Sequence, residues 1–228
     1  MNAEKFAIPL AVVFAGVLIA GAFYFSNAKQ TNDAKKNPAT NQAATQNIRP
    51  IDASDHILGN PNAQLILVEY SDTECPYCKA FQTTLKQMMT DYGPSGQVAW
   101  VYRHFPLHSK SEKEAEATEC AGELGGPDKF WDYLNMIYDN TPSNDGLDPA
   151  QLPIFAKNVG LDVDAFNTCL ASGKYADKVQ ADYNDAIASG GQGTPHSVLV
   201  SRDGAQTPID GALPYAQLKT EIDSLLKN

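Results

Sequence analysis

Cysteine is scarce in this chain, with four residues among 228. That is too few for a fold built on disulfides, so any thiol chemistry belongs to particular residues. Positive charge is also in deficit, with 17 Lys and Arg against 27 Asp and Glu. The first 50 residues hold five of the basic and two of the acidic residues, which leaves the rest of the chain more acidic still. A surface of that sign excludes binding to phosphate backbones or anionic lipid through a general field, and no nucleic-acid partner is expected. Only 19% of residues are charged while 43% are hydrophobic, so the chain is not a disordered polyelectrolyte and can bury a real core. It contains no internal repeat.

One long apolar run is present. Phe6 to Phe25 is a stretch of 20 uncharged residues after Lys5, enough to span a hydrocarbon core of about 30 Å as a helix. It exceeds the roughly 7–15 residues of a signal-peptide core, so residues 1–25 are expected to be an uncleaved transmembrane signal anchor. A cleaved signal peptide, cut near Ala20-Gly21-Ala22, is the alternative, and would give a secreted or periplasmic domain. In both cases the domain that follows is expected outside the cytoplasm, held at the cell membrane by a single pass if the anchor stays. Residues 26–50 are rich in Asn, Gln, Ala, Thr and Lys without hydrophobic period, and predict a flexible tether.

Residues 51–228 read as one α/β domain. Leu65-Ile-Leu-Val-Glu-Tyr70 is a continuous β-forming run, the pattern of a strand buried on both faces. Phe81, Leu85, Met88, Met89 and Tyr92 then recur at helical spacing, predicting a helix from near Cys75 to Tyr92, with Pro76 in its first turn. A second strand is expected over Val98–Phe105. Helices follow over Glu112–Leu124, Lys129–Asp139, Pro149–Asn158 and Ala165–Ala188, the last broken near Gly173. Ser197–Ser201 and Gln206–Ile209 predict a hairpin turned at Arg202-Asp203-Gly204, and a final helix carries Leu218, Ile222, Leu225 and Leu226. The helices at about 109–188 are thus an insertion within an α/β layer.

Cys75-Pro76-Tyr77-Cys78 stands where a buried strand gives way to a helix, a specific signature of redox chemistry. Thiolate is the nucleophile, and a helix N-terminus offers free N–H groups and a favourable dipole to it. Cys75 is therefore expected to be an exposed, acidic attacker and Cys78 the resolving thiol, with Pro76 and Tyr77 tuning the pair. Zinc is the competing reading, since Cys75, Cys78, His104 and His108 spell C-x2-C and H-x3-H. However, 25 residues separate the pairs where a compact finger has roughly 12–15, and no metal is expected. Glu69, in an apolar strand six residues before Cys75, is costly to bury unless paired or protonated, and could shuttle the proton of Cys78. Its alternative is to reach solvent at the strand end. Gly193-Thr194-Pro195 precedes a strand, and a cis Thr194–Pro195 bond beside the cysteines would leave the Thr194 backbone free to pair with a substrate peptide. His196, next to that proline, could stabilise the thiolate or be a surface His at a strand start. Cys120 and Cys169, 49 positions apart on two predicted helices, could form a bridge or remain buried thiols.

Taken together, Gly59-Asn-Pro-Asn-Ala63, Val68-Glu-Tyr-Ser-Asp72, Cys75-Pro-Tyr-Cys-Lys79, Arg103-His-Phe-Pro-Leu107, Phe130-Trp131, Cys169-Leu170 and Gly193-Thr-Pro195 resemble the DsbA-type thiol–disulfide oxidoreductases, in order, across residues 55–228. The resemblance implies a thioredoxin-like fold with an inserted α-helical domain. It also implies Cys75 as nucleophile, Cys78 as resolving thiol, Glu69 as buried proton carrier and Pro195 as cis-proline. Members act on reduced proteins in bacterial envelopes and are reoxidised by a quinone-linked membrane partner. The expected protein is a monomer that forms disulfides in secreted or surface proteins, with no cofactor beyond the Cys75–Cys78 disulfide. A reductase or isomerase of the same fold, or a non-catalytic peptide-binding assembly factor, is the alternative. The chain departs from the best-known oxidant of the family in having Tyr77 where that protein has His.

Overall fold

The computed structural model describes residues 48–227. The expected membrane span at 1–25, and the tether as far as residue 47, lie outside the described residues. Among the described residues no helix is long and apolar enough to cross a membrane. The tether ends earlier than its composition suggests. Ile48 packs against the core, and the backbone N–H of Arg49 donates to Asp185 at 2.7 Å while its guanidinium pairs with Asp55 and Asp182. Charges from distant parts of the fold hold these residues, a signal that local composition does not carry.

Five strands form one mixed sheet in the order β1-β3-β2-β4-β5. They are β1 (His56–Leu58), β2 (Leu65–Ser71), β3 (Val98–His104), β4 (His196–Ser201) and β5 (Gln206–Asp210). β2 runs parallel to β3, and the other pairings are antiparallel. Helix α1 (Pro76–Tyr92) supplies the crossover between β2 and β3. Five helices stand between β3 and β4: α2 (Ser111–Gly125), α3 (Pro127–Asn140), α4 (Gln151–Asn158), α5 (Val163–Ser172) and α6 (Ala176–Ala188). Helix α7 (Tyr215–Leu225) closes the chain. The expected strands and helices all form. β1 is the addition, a three-residue edge strand too short to show a period.

Strand parity sorts the core. Leu65 and Leu67 on β2 meet Trp100 and Tyr102 on β3, Leu85 and Met88 on α1, and Leu218 and Ile222 on α7. Val68 and Tyr70, on the other face, pack with Val101, Val198, Phe105 and Ala186. Glu69 and Ser71 share the parity of Leu65 and Leu67, so they point to the α1 side, where Cys78 lies. The helical insertion has its own core of Ala117, Cys120, Tyr133, Ile137, Leu152, Phe155 and Phe166. Within it Cys120 on α2 and Cys169 on α5 form a disulfide. With its ends 49 positions apart in sequence, this bridge restricts the unfolded chain considerably. Replacing both cysteines with Ala is expected to cost about 2–4 kcal/mol in urea unfolding; an unchanged midpoint would show that the bridge adds nothing.

On the Tyr70 face the sheet is tied to the insertion by buried charge. Arg103 grips Asp55 through two bonds of 2.9 Å, and reaches Asp185 at 2.7 Å and the Tyr70 hydroxyl at 3.1 Å. Burial alone would raise the Asp55 carboxyl, yet its bonds to Arg103 hold it below the usual carboxylate range.

Candidate active site

Cys75 caps α1 from an extended conformation and Pro76 takes the first helical position, where its missing N–H costs nothing. The first turn contains no acidic side chain, so nothing competes with a thiolate for the free N–H groups. Both thiols are free. Cys75 is only 5% exposed, which corrects the expectation of an open attacker: the Thr194 carbonyl stands over it, 3.4 Å from Sγ. Cys78 is fully buried, and the Asp72 backbone N–H points at its sulphur from 3.5 Å. Tyr77, between them, is 68% exposed.

The two sulphurs have opposite proton affinities. A hydrogen bond from Cys78, a Thr194 side-chain hydrogen bond and the N–H groups of Cys78 and Tyr77 bring the Cys75 thiol down to about 5, against the opposing effect of burial. Cys78 is pushed well above the ordinary thiol value by burial, by donating to Cys75 and by the nearby charge of Glu69. A thiol depressed in the fold stabilises the reduced folded state. The gain is complete above the ordinary thiol value of about 8.5 and is lost as pH falls through about 5.

Glu69 is completely buried and does not reach solvent at the strand end. Its carboxyl accepts from Trp100 Nε1 at 3.0 Å and Ser71 Oγ at 2.8 Å, with Gln82 Nε2 at 3.5 Å. These donors only partly offset desolvation, which pushes the group up to about 8. Because the raised value belongs to the folded state, folding loses stability as pH climbs from the ordinary carboxyl range through about 8. Near neutrality Glu69 can therefore hold a proton beside Cys78 and release it.

The Thr194–Pro195 bond is cis, and Thr194 and Pro195 line an open cavity of about 440 Å³ with Gln192, Gly193, Asp210 and Gly211. His196, read either as a thiolate stabiliser or as a surface residue, is buried and lines the same cavity, with its ring engaged elsewhere. It pairs with Tyr70 across β2 and β4 and stacks on that ring, and its two nitrogens face Ser189 and Asp210. Pairing with Tyr70 puts it on the sheet face opposite Glu69 and Cys78; strand parity overrides adjacency to the proline. The histidines of the zinc spelling are also engaged elsewhere, His104 with Glu119 and His108 with Asp72. Among the described residues one group of metal-ligating side chains converges, His104, Glu119 and Asp182, and the Lys178 ammonium already bonds both of its carboxylates.

Three acidic residues that sequence reading passed over frame the site. Asp72 accepts from the backbone of Glu74, Leu107 and His108 and from His108 Nδ1 and Ser111 Oγ, fastening the β3–α2 connection to the turn before Cys75. Glu74 accepts from the Thr141 hydroxyl and from the backbone of Gly146 and Leu147, fastening the α3–α4 loop to the same turn. Glu114 lies against Glu74, and burial followed by that neighbouring carboxylate raises it to about 8. The acids between an apolar strand and C-x-x-C are the signal that could have found Asp72 and Glu74; Glu114 comes from a distant helix and has no such local signal.

Comparison with known proteins places this geometry. The chain is 35% identical over 150 residues to a protein named Na(+)/H(+) antiporter NhaA 3 from Salinispora tropica, and 34% over 147 residues to a similarly named protein from Herminiimonas arsenicoxydans. Each match covers 64% of this chain but only 22% of the relative, so the chain spans a small part of the length of these curated proteins. Among solved structures, Pseudomonas aeruginosa DsbA2 superimposes with a TM-score of 0.67 at 28% identity, covering 79% of this chain and 98% of that one. Bacillus subtilis BdbD in its oxidised form gives a TM-score of 0.67 at 24% identity, covering 76% and 94%, and speaks for the fold alone. Residues 52–224 match the family described as Thioredoxin. The chain belongs to the thioredoxin family, with the DsbA-type form of its thiol–disulfide oxidoreductases.

Proposed function

We propose that the protein is an oxidase acting outside the cytoplasm, tethered by residues 1–25, which introduces disulfides into reduced, unfolded or partly folded secreted and surface proteins. A substrate thiolate attacks Cys75 of the Cys75–Cys78 disulfide and Cys78 leaves as the thiolate, which Glu69 protonates. The second substrate thiolate then attacks the substrate sulphur of the mixed disulfide and expels Cys75. The substrate loses two electrons and the enzyme gains them. A quinone-linked membrane partner returns the enzyme to its disulfide, and no other cofactor takes part. The Thr194 backbone, held open by Pro195, pairs with the substrate chain, and the enzyme works as a monomer.

The observation that carries this reading is the contrast between the sulphurs, Cys75 brought down to about 5 and Cys78 raised. Stabilising one thiolate stabilises the reduced enzyme, which makes the disulfide form the stronger oxidant. The test is equilibration of the full-length protein against glutathione buffers over a range of pH. The potential is expected well above the thioredoxin value of about −270 mV. Its slope is expected to steepen from about 30 to about 60 mV per pH unit as pH falls below the Cys75 midpoint of about 5. A potential near the thioredoxin value would instead establish a reductase, the reading favoured by an exposed Tyr77 that brings no cation to the dipeptide.

A further inference from the structure

Glu69 ends a line of hydroxyl groups that the exchange chemistry above does not use. Ser71 Oγ lies 2.8 Å from Glu69 Oε1, Tyr138 OH lies 2.9 Å from Ser71 Oγ, and Tyr102 OH lies 3.1 Å from Tyr138 OH. Tyr138 OH also reaches the carbonyl oxygen of Asp72 at 3.3 Å. All of these residues are buried. A hydroxyl both donates and accepts, so such a line can run in either direction. With Glu69 ionised, Tyr102 donates to Tyr138, Tyr138 to Ser71 and Ser71 to the carboxylate. With Glu69 protonated, its O–H donates to Ser71, Ser71 to Tyr138 and Tyr138 to the Asp72 carbonyl, while Tyr102 still donates to Tyr138. Each direction uses every hydroxyl proton once, and no proton leaves the line.

The surroundings assign the accepting role to Ser71. Trp100 and Gln82 face Glu69 through N–H groups, which favour its ionised form and take no proton from it. The titratable groups around it are Cys78 on α1, Tyr102 on β3, Tyr138 on α3 and Asp72 in the turn. All become negative when ionised, so none supplies a counter-charge.

We propose that Ser71 and Tyr138 are positioning residues that set the proton affinity of Glu69 by reversing this hydroxyl line, which brings the helical insertion into the exchange reaction through Tyr138. The far end of the line is the carbonyl of Asp72, a residue whose own N–H faces the Cys78 sulphur, so the charge on Glu69 is reported to the turn that holds the resolving thiol. The proposal rests on Glu69 as the proton carrier.

The test is a carbon-13 NMR titration of the Glu69 carboxyl in the reduced full-length protein, with the signal assigned by its disappearance in Glu69→Gln. Ser71→Ala removes a charge-assisted bond from the ionised form and only a weaker one from the neutral form. The midpoint is expected to move up by about one pH unit, a tenfold gain in proton affinity. Tyr138→Phe, nearly isosteric, is expected to move it the same way by less. Because Tyr138 acts only through Ser71, adding Tyr138→Phe to Ser71→Ala should produce no further shift. An unmoved midpoint in Ser71→Ala, or additive shifts in the double variant, overturns the proposal. The pH profile of exchange in Glu69→Gln tests the underlying reading separately. A profile equal to wild type removes Glu69 as proton carrier, whatever the titrations show.

Discussion

Cys75→Ser leaves disulfide exchange at the uncatalysed rate of substrate with glutathione, while Cys78→Ser halts the reaction half-way. The asymmetry follows from the positions of the two sulphurs. Of the two sulphurs only that of Cys75 lies against the Thr194 carbonyl, and its thiolate is the form present near neutrality. In Cys78→Ser that thiolate still attacks a disulfide such as oxidised glutathione, expelling one glutathione thiolate and keeping the other half as a mixed disulfide. No neighbouring thiol remains to resolve it. Intact mass should therefore show one stable glutathione adduct on Cys78→Ser and none on Cys75→Ser. An adduct on Cys75→Ser, or continued turnover in either variant, would mean that the pair is not the exchange centre. A peptide-binding assembly factor instead predicts that function survives in Cys75→Ala.

The second large effect is on stability. Arg103→Leu removes the one guanidinium that satisfies Asp55 and Asp185 together and leaves both carboxylates buried beside an apolar side chain. Breaking a buried pair in this way costs about 3–5 kcal/mol. For a domain of this size the melting temperature should fall on the order of 10 °C. Asp55 is held down in the folded state, so its share of the stabilisation is present above the ordinary carboxyl value and disappears as pH falls through the lowered one. The wild-type and variant melting curves should consequently converge in acid. A loss below about 1 kcal/mol at neutral pH would show that Arg49 and Lys178 carry the charge balance without Arg103.

Most of the fold was legible because its signals are local. The β2 run, the helical spacing from Phe81 to Tyr92, and the hairpin at Arg202-Asp203-Gly204 each lie within one window of sequence, and each forms where expected. The cysteine pair and Thr194–Pro195 were legible for a similar reason, since C-x-x-C at a strand-to-helix junction and X-Pro before a strand restrict the backbone by themselves. What could not be read depends on long-range geometry. The setting of His196 stayed open because adjacency in sequence says nothing of which sheet face a strand residue takes, and that follows only from its pairing with Tyr70. The membership of Arg49 in the domain depends on Asp182 and Asp185, more than 130 positions away. Asp72 and Glu74 look like ordinary turn residues until the loops they fasten are seen.

The frame around the cysteines is tied on every side but one. Its acids, its buried carboxyl and its proline are each locked to other elements, so altering any of them disturbs the scaffold together with the chemistry. The dipeptide is the exception, with Pro76 and Tyr77 turned to solvent at the start of α1 while the Tyr77 N–H serves the sulphur. Evolution and engineering thus have one dial that turns freely. Substitutions in this dipeptide can retune the potential of the pair while the architecture around it stays as it is, and a family of such variants would share one fold across a graded series of potentials.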